Sequence, residues 1–295
     1  MTESNTKLRL KSFYDTNTNT FTYVVYNDVE KDAIIIDPVL DYDPHASVIS
    51  YKSVDRLIHF IEGENLKVTT VLETHAHADH LSSAVVIRDR ISEVKIGIGE
   101  NIKMIQKTFK EIYNLKNLNT EGEQFDFLLS DGEEQQFGSI TVKAISTPGH
   151  TPACSCYLIE DMLFTGDTLF LPDGGTGRCD FPQGSAKQLF LSIKEKIYTL
   201  PDETKIFVGH DYQPDGREVR FESTIGESKN KNIQLNKQTT ESEFLAFRNK
   251  RDKSLGAPKL LFQSIQVNID GGKLPVEEDN NRMYLKMPLS IIGKK

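Results

Sequence analysis

The chain of 295 residues is short of cysteine, with only Cys154, Cys156 and Cys179. Three thiols are too few for a disulfide framework and suit a reducing compartment. No apolar run approaches a membrane span, and the first residues, from Met1 to Lys7, hold no apolar core of signal-peptide length. A basic surplus is missing too. Lys and Arg number 35 against 43 Asp and Glu, a net charge of −8, which argues against nucleic-acid binding through a basic surface. These absences predict a cytoplasmic chain with neither membrane nor nucleic-acid partner. No repeat and no convincing linker interrupts it. The expectation is one domain over 1–295, with a core from about residue 8 to 212 and a C-terminal extension from about 213 to 295.

What is present centres on Thr74-His75-Ala76-His77-Ala78-Asp79-His80, which follows the apolar run Val68–Leu72. The run reads as a buried strand, and Leu81 onward, with Ala84, Val85 and Ile87, reads as a helix. In extended backbone His75 and His77 face one side, while Asp79 and His80 fall at the turn into the helix. Three imidazoles and a carboxylate within six residues would repel one another once protonated, and a packed core gains nothing from them. A metal accounts for the cluster better than a polar loop with a capping Asp79.

Along the chain, Leu8–Phe13 and Phe21–Tyr26 flank a polar segment and read as a hairpin. Ala33–Ile36 is a buried strand stopped at Pro38, and Asp41 to Ser53 reads as a loop. Leu57, Ile58, Ile61 and Leu66 mark a helix before the central strand. Lys95–Gly99, Gly138–Ile145, Ser155–Leu158, Met162–Thr165 and Lys205–Val208 read as strands. Ile102, Ile105, Phe109 and Ile112, and again Leu189, Phe190, Ile193 and Ile197, recur at helical spacing and read as core-facing helices. Glu241–Arg251 leans helical, and a last apolar stretch runs to Ile292. Alternating strands and helices predict an α/β layered architecture.

Three more candidate ligands each follow a short apolar strand and a glycine: His150 after Gly149, Asp167 after Gly166, and His210 after Gly209. Glycine lets the backbone turn sharply near an ion, and α/β folds gather sites from strand ends. Singly each has a plain structural reading. Together with His-x-His-x-Asp-His they make a site.

This ordered set resembles the metallo-β-lactamase superfamily over roughly Leu8 to Tyr212. The resemblance implies a four-layer αβ/βα sandwich with two central sheets, helices outside and the metal at one edge. It implies that His75, His77, His150 and Asp167 line one metal position, and that Asp79, His80 and His210, with Asp167 shared, line a second. The stretch Gly174-Gly175-Thr176-Gly177-Arg178-Cys179-Asp180-Phe181, with Ile36-Asp37-Pro38 and Gly209-His210-Asp211-Tyr212, further resembles the persulfide dioxygenases. The likeness is greatest to their bacterial, β-lactamase-hydrolase-like branch.

That resemblance implies oxidation of glutathione persulfide, or a similar small persulfide, by O₂ at one Fe(II) held by His75, His150 and Asp167. His77, Asp79, His80 and His210 would then orient ligands or hold water. Arg178 could anchor a substrate carboxylate or simply pair with Asp180, and Tyr212 could donate to substrate or only pack. Cys179 reads as a buried thiol rather than a nucleophile. Cys154 and Cys156 read as core residues. The alternative is a glyoxalase-II-like thioester hydrolase using the same seven residues and two Zn. A non-catalytic binder is disfavoured by the intact ligand set. The sequence leaves open whether the C-terminal extension covers the pocket or builds a homodimer contact.

Overall fold

The computed structural model describes residues 8–289. The predicted hairpin forms, with Leu8–Asp15 antiparallel to Thr20–Asn27. Asp32–Ile36 joins antiparallel to the hairpin and parallel to Lys67–Glu73. Lys95–Gly99 and Phe127–Leu129 extend this six-stranded sheet in parallel. Parallel neighbours need long crossovers. The helices Lys52–Gly63, Ala84–Arg90 and Ile102–Ile112 lie in those crossovers.

A second six-stranded sheet takes, in spatial order, Glu134–Phe137, Ile140–Ser146, Ser155–Ile159, Met162–Gly166, Lys205–Val208 and Glu222–Thr224. Its one parallel pair is bridged by Ala186–Leu191, continued by a π turn, Ser192–Lys196, and a 3₁₀ turn, Ile197–Thr199.

Both faces of the first sheet are covered, so every residue of Thr20–Asn27 is buried. Phe21, Tyr23 and Val25 point into a core shared with Tyr157, Phe164 and Phe207 of the second sheet. Their neighbours Val24 and Tyr26 point the opposite way, into a core with Val54, Leu57, Ile105 and Phe109 of the flanking helices. The period-two alternation of a strand thus supplies two cores at once. Leu189, Ile193 and Ile197 cover the second sheet from outside. The layering is helix, sheet, sheet, helix, as the family resemblance implies.

Local expectations needed correction in four places. The segment 41–53 is not a plain loop, because Val39–Asp43 and Val48–Ser50 form a small antiparallel hairpin inside it. Leu81 does not begin a helix; Leu81–Ser82 pairs with Val39–Leu40, and the helix starts at Ala84. The strand before His75 ends at Glu73, so His75 and His77 lie in a turning segment rather than in extended backbone. Ile112 is exposed although Ile102, Ile105 and Phe109 are buried.

Residues beyond 212 are woven into the same cores. Glu222–Thr224 pairs with Lys205–Val208. Helix Glu241–Asp252, opened by a Thr240/Glu243 capping box, buries Phe244 against Phe190 of the helix outside the second sheet, ring centroids 6.0 Å apart. Helix Leu261–Asn268 carries Ile265 and Val267 into the other core. The predicted apolar stretch to Ile292 ends outside the described residues. Among the described residues no helix is long and apolar enough to cross a membrane.

Candidate metal centre

The two sheets meet at one edge, and the predicted ligands converge there. Backbone bonds stitch the edge together. Ser155 N donates to Thr74 O at 2.9 Å, Phe21 N to Gly209 O at 2.9 Å, and Gly209 N to Gly166 O at 3.2 Å. Gly166 sits at φ +47°, and a Cβ there would strike Thr74 Oγ1. Glycine is therefore required where the strand before Asp167 passes the strand before His75. A Gly166→Ala variant is expected to lose more than about 1 kcal/mol of stability, read by urea unfolding.

Five of the seven histidines, His75, His77, His80, His150 and His210, are buried in this region. In four of them the partner of Nδ1 sets the tautomer. His150 Nδ1 faces Arg178 O at 2.7 Å, His80 Nδ1 faces Leu81 O at 3.0 Å, and His210 Nδ1 faces Asn19 O at 3.2 Å. A carbonyl only accepts, so each Nδ1 carries the proton and each Nε2 keeps its lone pair. His75 Nδ1 lies 3.0 Å from Thr74 Oγ1. That hydroxyl already donates to Asp37 Oδ2 at 2.8 Å, so it accepts from His75. Asp37 Oδ1 also takes Thr74 N at 2.7 Å, which fixes the residue that carries the first ligand.

His77 is turned the other way. Its Nε2 lies 3.0 Å from Asp37 Oδ1 and 3.3 Å from Glu73 Oε2, which leaves Nδ1 toward the cluster. Burial opposes charge on His77, yet the Asp37 and Glu73 carboxylates hold it well above the usual imidazole value. Burial holds His75 well below that value, and the surrounding imidazoles add to the effect. Burial, with His77 beside it, takes His80 down to about 4. Against its burial, the neighbouring His210 and His80 hold Asp79 down to about 2. Neutral imidazoles and ionised carboxylates are the forms that bind metal, so His75, His80 and Asp79 are held ready for one, whereas His77 is held toward its protonated form by its two carboxylates.

Among the described residues three groups of side chains bring ligand atoms within 4.8 Å of one another: His75, His150 and Asp167; His77, Asp79 and His80; and Asp37, Glu73 and His77. Asp167 lies between the first two groups, with Oδ2 3.5 Å from His150 Nε2 and Oδ1 3.3 Å from His210 Nε2. His210 Nε2 is also 3.3 Å from Asp79 Oδ2. His75 Nε2, His77 Nδ1, His80 Nε2 and Asp167 Oδ1 are buried without a hydrogen-bond partner. Unsatisfied buried acceptors facing one another are costly unless something with positive charge joins them. The donor set fits a metal.

All the sequence-predicted ligands are thus gathered, but His75 and His77 fall into different groups although their rings are 4.1 Å apart. Asp37, Thr74 and Glu73 were not singled out by their chemistry. The one local signal for Asp37 is its place at the end of a buried strand before Pro38.

The substrate-facing expectations are more mixed. Arg178 pairs with Asp180 through two bonds of 2.5 Å and donates to Gly256 O at 2.8 Å, so its fork is already occupied. Tyr212 stands 59% exposed with its ring parallel to His210, centroids 5.4 Å apart. It is placed at the rim. Cys154, Cys156 and Cys179 are free and buried. Burial pushes the Cys179 thiol up to about 12, which keeps it protonated and unreactive. The folded protein is expected to resist a thiol reagent at neutral pH, and Cys179→Ser is expected to keep activity within about threefold.

The model of the family described as "Metallo-beta-lactamase superfamily" matches residues 15–210. Glyoxylase B2 of Dictyostelium discoideum is 45% identical across 97% of this chain and 98% of its own length. The Beta-lactamase hydrolase-like protein of Xylella fastidiosa is 44% identical over 96% of this chain, which spans 65% of that longer protein. Human Persulfide dioxygenase ETHE1, mitochondrial, is 31% identical over 71% of this chain and 70% of its own. Among solved structures, that of ETHE1 from Myxococcus xanthus superposes with a TM-score of 0.72 at 28% identity, covering 90% of this chain and all of that one. The strand-end site and these matches agree: the chain belongs to the metallo-β-lactamase superfamily.

Proposed function

We propose that the chain is a persulfide dioxygenase holding one Fe(II) with His75, His150 and Asp167. It converts a small thiol persulfide, O₂ and water to sulfite and the free thiol. Glutathione persulfide is the first substrate to try. The observation that carries this reading is the separation of two imidazoles and one carboxylate into a group of their own. A 2-His-1-carboxylate set leaves neighbouring positions open on one face, and iron bound there supplies the one-electron chemistry that O₂ requires. The human and Myxococcus likenesses support it.

The chain's own part is to hold geometry and protonation. Thr74 and the Arg178 carbonyl keep the protons of His75 and His150 on Nδ1, so both Nε2 lone pairs face inward. Asp167 contributes the one negative charge shared by that set and His210. His77, Asp79, His80 and His210 supply hydrogen-bonding groups beside the open face. Tyr212 stands at the rim to meet the thiol carrier. Arg178 would reach a carrier carboxylate with its fork only by giving up its pairing with Asp180.

A second reading is a thioester hydrolase with two Zn, favoured by the Glyoxylase B2 relative and by the His77, Asp79 and His80 group beside the first. The two are separated by metal counting and a thioesterase assay. The dioxygenase reading expects about one iron per chain and negligible hydrolysis of S-lactoylglutathione. Two metals per chain with rapid hydrolysis would replace it.

A further inference from the structure

We infer that Asn268, nearly two hundred residues beyond the His77–His80 loop in sequence, is a positioning residue for the metal centre. The inference rests on the reading of the His and Asp cluster as a metal site. Asn268 is the last residue of helix Leu261–Asn268 and is 4% exposed. Its Nδ2 donates to His77 O at 2.8 Å and to His80 O at 2.8 Å, and its Oδ1 accepts from Ser82 N at 2.8 Å. One amide side chain thereby commits both donor hydrogens and its acceptor to a single loop.

That loop has no regular structure of its own from Thr74 to His80. The peptide planes at His77 and His80 therefore take their orientation from outside, and those planes carry the imidazoles on either side of Asp79. The bracing closes on itself. Ser82 Oγ donates to Glu73 Oε1, and Glu73 Oε2 is 3.3 Å from His77 Nε2. Asn268 thus holds the carbonyl of His77 while Ser82, which it also holds, steadies the carboxylate against the His77 ring.

Asn268 is itself fixed. Ile265, Val267 and Ile269 around it are fully buried, and Gln106 Nε2 donates to Ile269 O at 2.9 Å. Gly272, at φ +87°, brings the following turn so close that a Cβ would sit 3.2 Å from Ser82 O. Through Asn268 and Gly272 the C-terminal extension forms part of the site's frame.

The test titrates metal-free protein with Co(II) alone and follows its visible absorption, alongside the melting temperature of the metal-free form. His77 and His80 flank the iron ligands rather than hold the metal in the proposed function, so loss of the amide that braces them is expected to weaken binding by about 10-fold, the low end of the range for outer partners. Asn268→Ala is expected to show that loss and a shifted visible band. Asn268→Asp keeps the acceptor for Ser82 but turns oxygen toward two carbonyls, and it is expected to do the same even where the alanine variant folds poorly. Gln266→Ala is the control. Gln266, on the same helix, bonds instead to Lys286, with Nε2 2.6 Å from Lys286 O, and its variant is expected to titrate as wild type. Wild-type affinity and spectrum in a folded Asn268→Ala or Asn268→Asp protein would overturn the inference. Failure of wild-type protein to bind Co(II) would instead overturn the metal reading on which it rests.

Discussion

Asp167→Ala is expected to empty the centre, with a fall in metal affinity of more than about 100-fold, beyond the range for outer partners. Persulfide oxidation should be lost with it. Asp167 contributes the only carboxylate of the His75 and His150 group, and its buried Oδ1 has no hydrogen-bond partner in the protein. His75 and His150 are the other members of that group, and neither imidazole can supply the negative charge that Asp167 brings. The fold is expected to survive, because Asp167 lies after the strand Met162–Gly166 rather than within it. Elemental analysis after dialysis reads the metal, and far-UV circular dichroism reads the fold. Metal retention near one per chain would remove Asp167 from the ligand set.

Asp252→Ala is expected to cause the largest loss of stability, about 3–5 kcal/mol by urea unfolding. Its partner Arg248 is 1% exposed and pairs with Asp252 Oδ1. Arg248 also donates to Gln234 Oε1 at 2.9 Å and Thr176 O at 3.2 Å, while Asp252 Oδ2 accepts from Cys179 N at 2.9 Å. Removing the carboxylate strands a guanidinium in the interior, where an unpaired charge is far more costly than none. The double variant Arg248→Met with Asp252→Ala should therefore recover most of the loss. A double variant no more stable than Asp252→Ala would show that the hydrogen bonds to the 174–180 loop, rather than the stranded charge, dominate.

The strands with continuous apolar runs were legible because burial on both faces leaves no other composition open to them. Lys205–Val208 matches the sequence reading residue for residue, and the helical spacing of Ile102, Ile105 and Phe109 was legible too, with Ile112 exposed at the helix end. Short or polar strands were not legible. Glu134–Phe137 and Glu222–Thr224 exist because neighbours pair with them, and pairing leaves no local trace. The candidate ligands were legible by type and by the glycines before them. Their division into groups was not, since it depends on which way each ring turns. Asp37 and Glu73 turn His77, while Thr74, Leu81, Arg178 and Asn19 fix the rest. Asn268 carried no signal, because an asparagine near a helix end is ordinary and its three partners are far away in sequence.

The most direct test of the central claim is O₂ uptake by protein loaded anaerobically with Fe(II) and then given glutathione persulfide. The account predicts one O₂ consumed per sulfite formed, with free glutathione as the second product and no uptake in His75→Ala. Sulfite production without O₂ consumption, or no reaction while a glutathione thioester is rapidly hydrolysed, would contradict it.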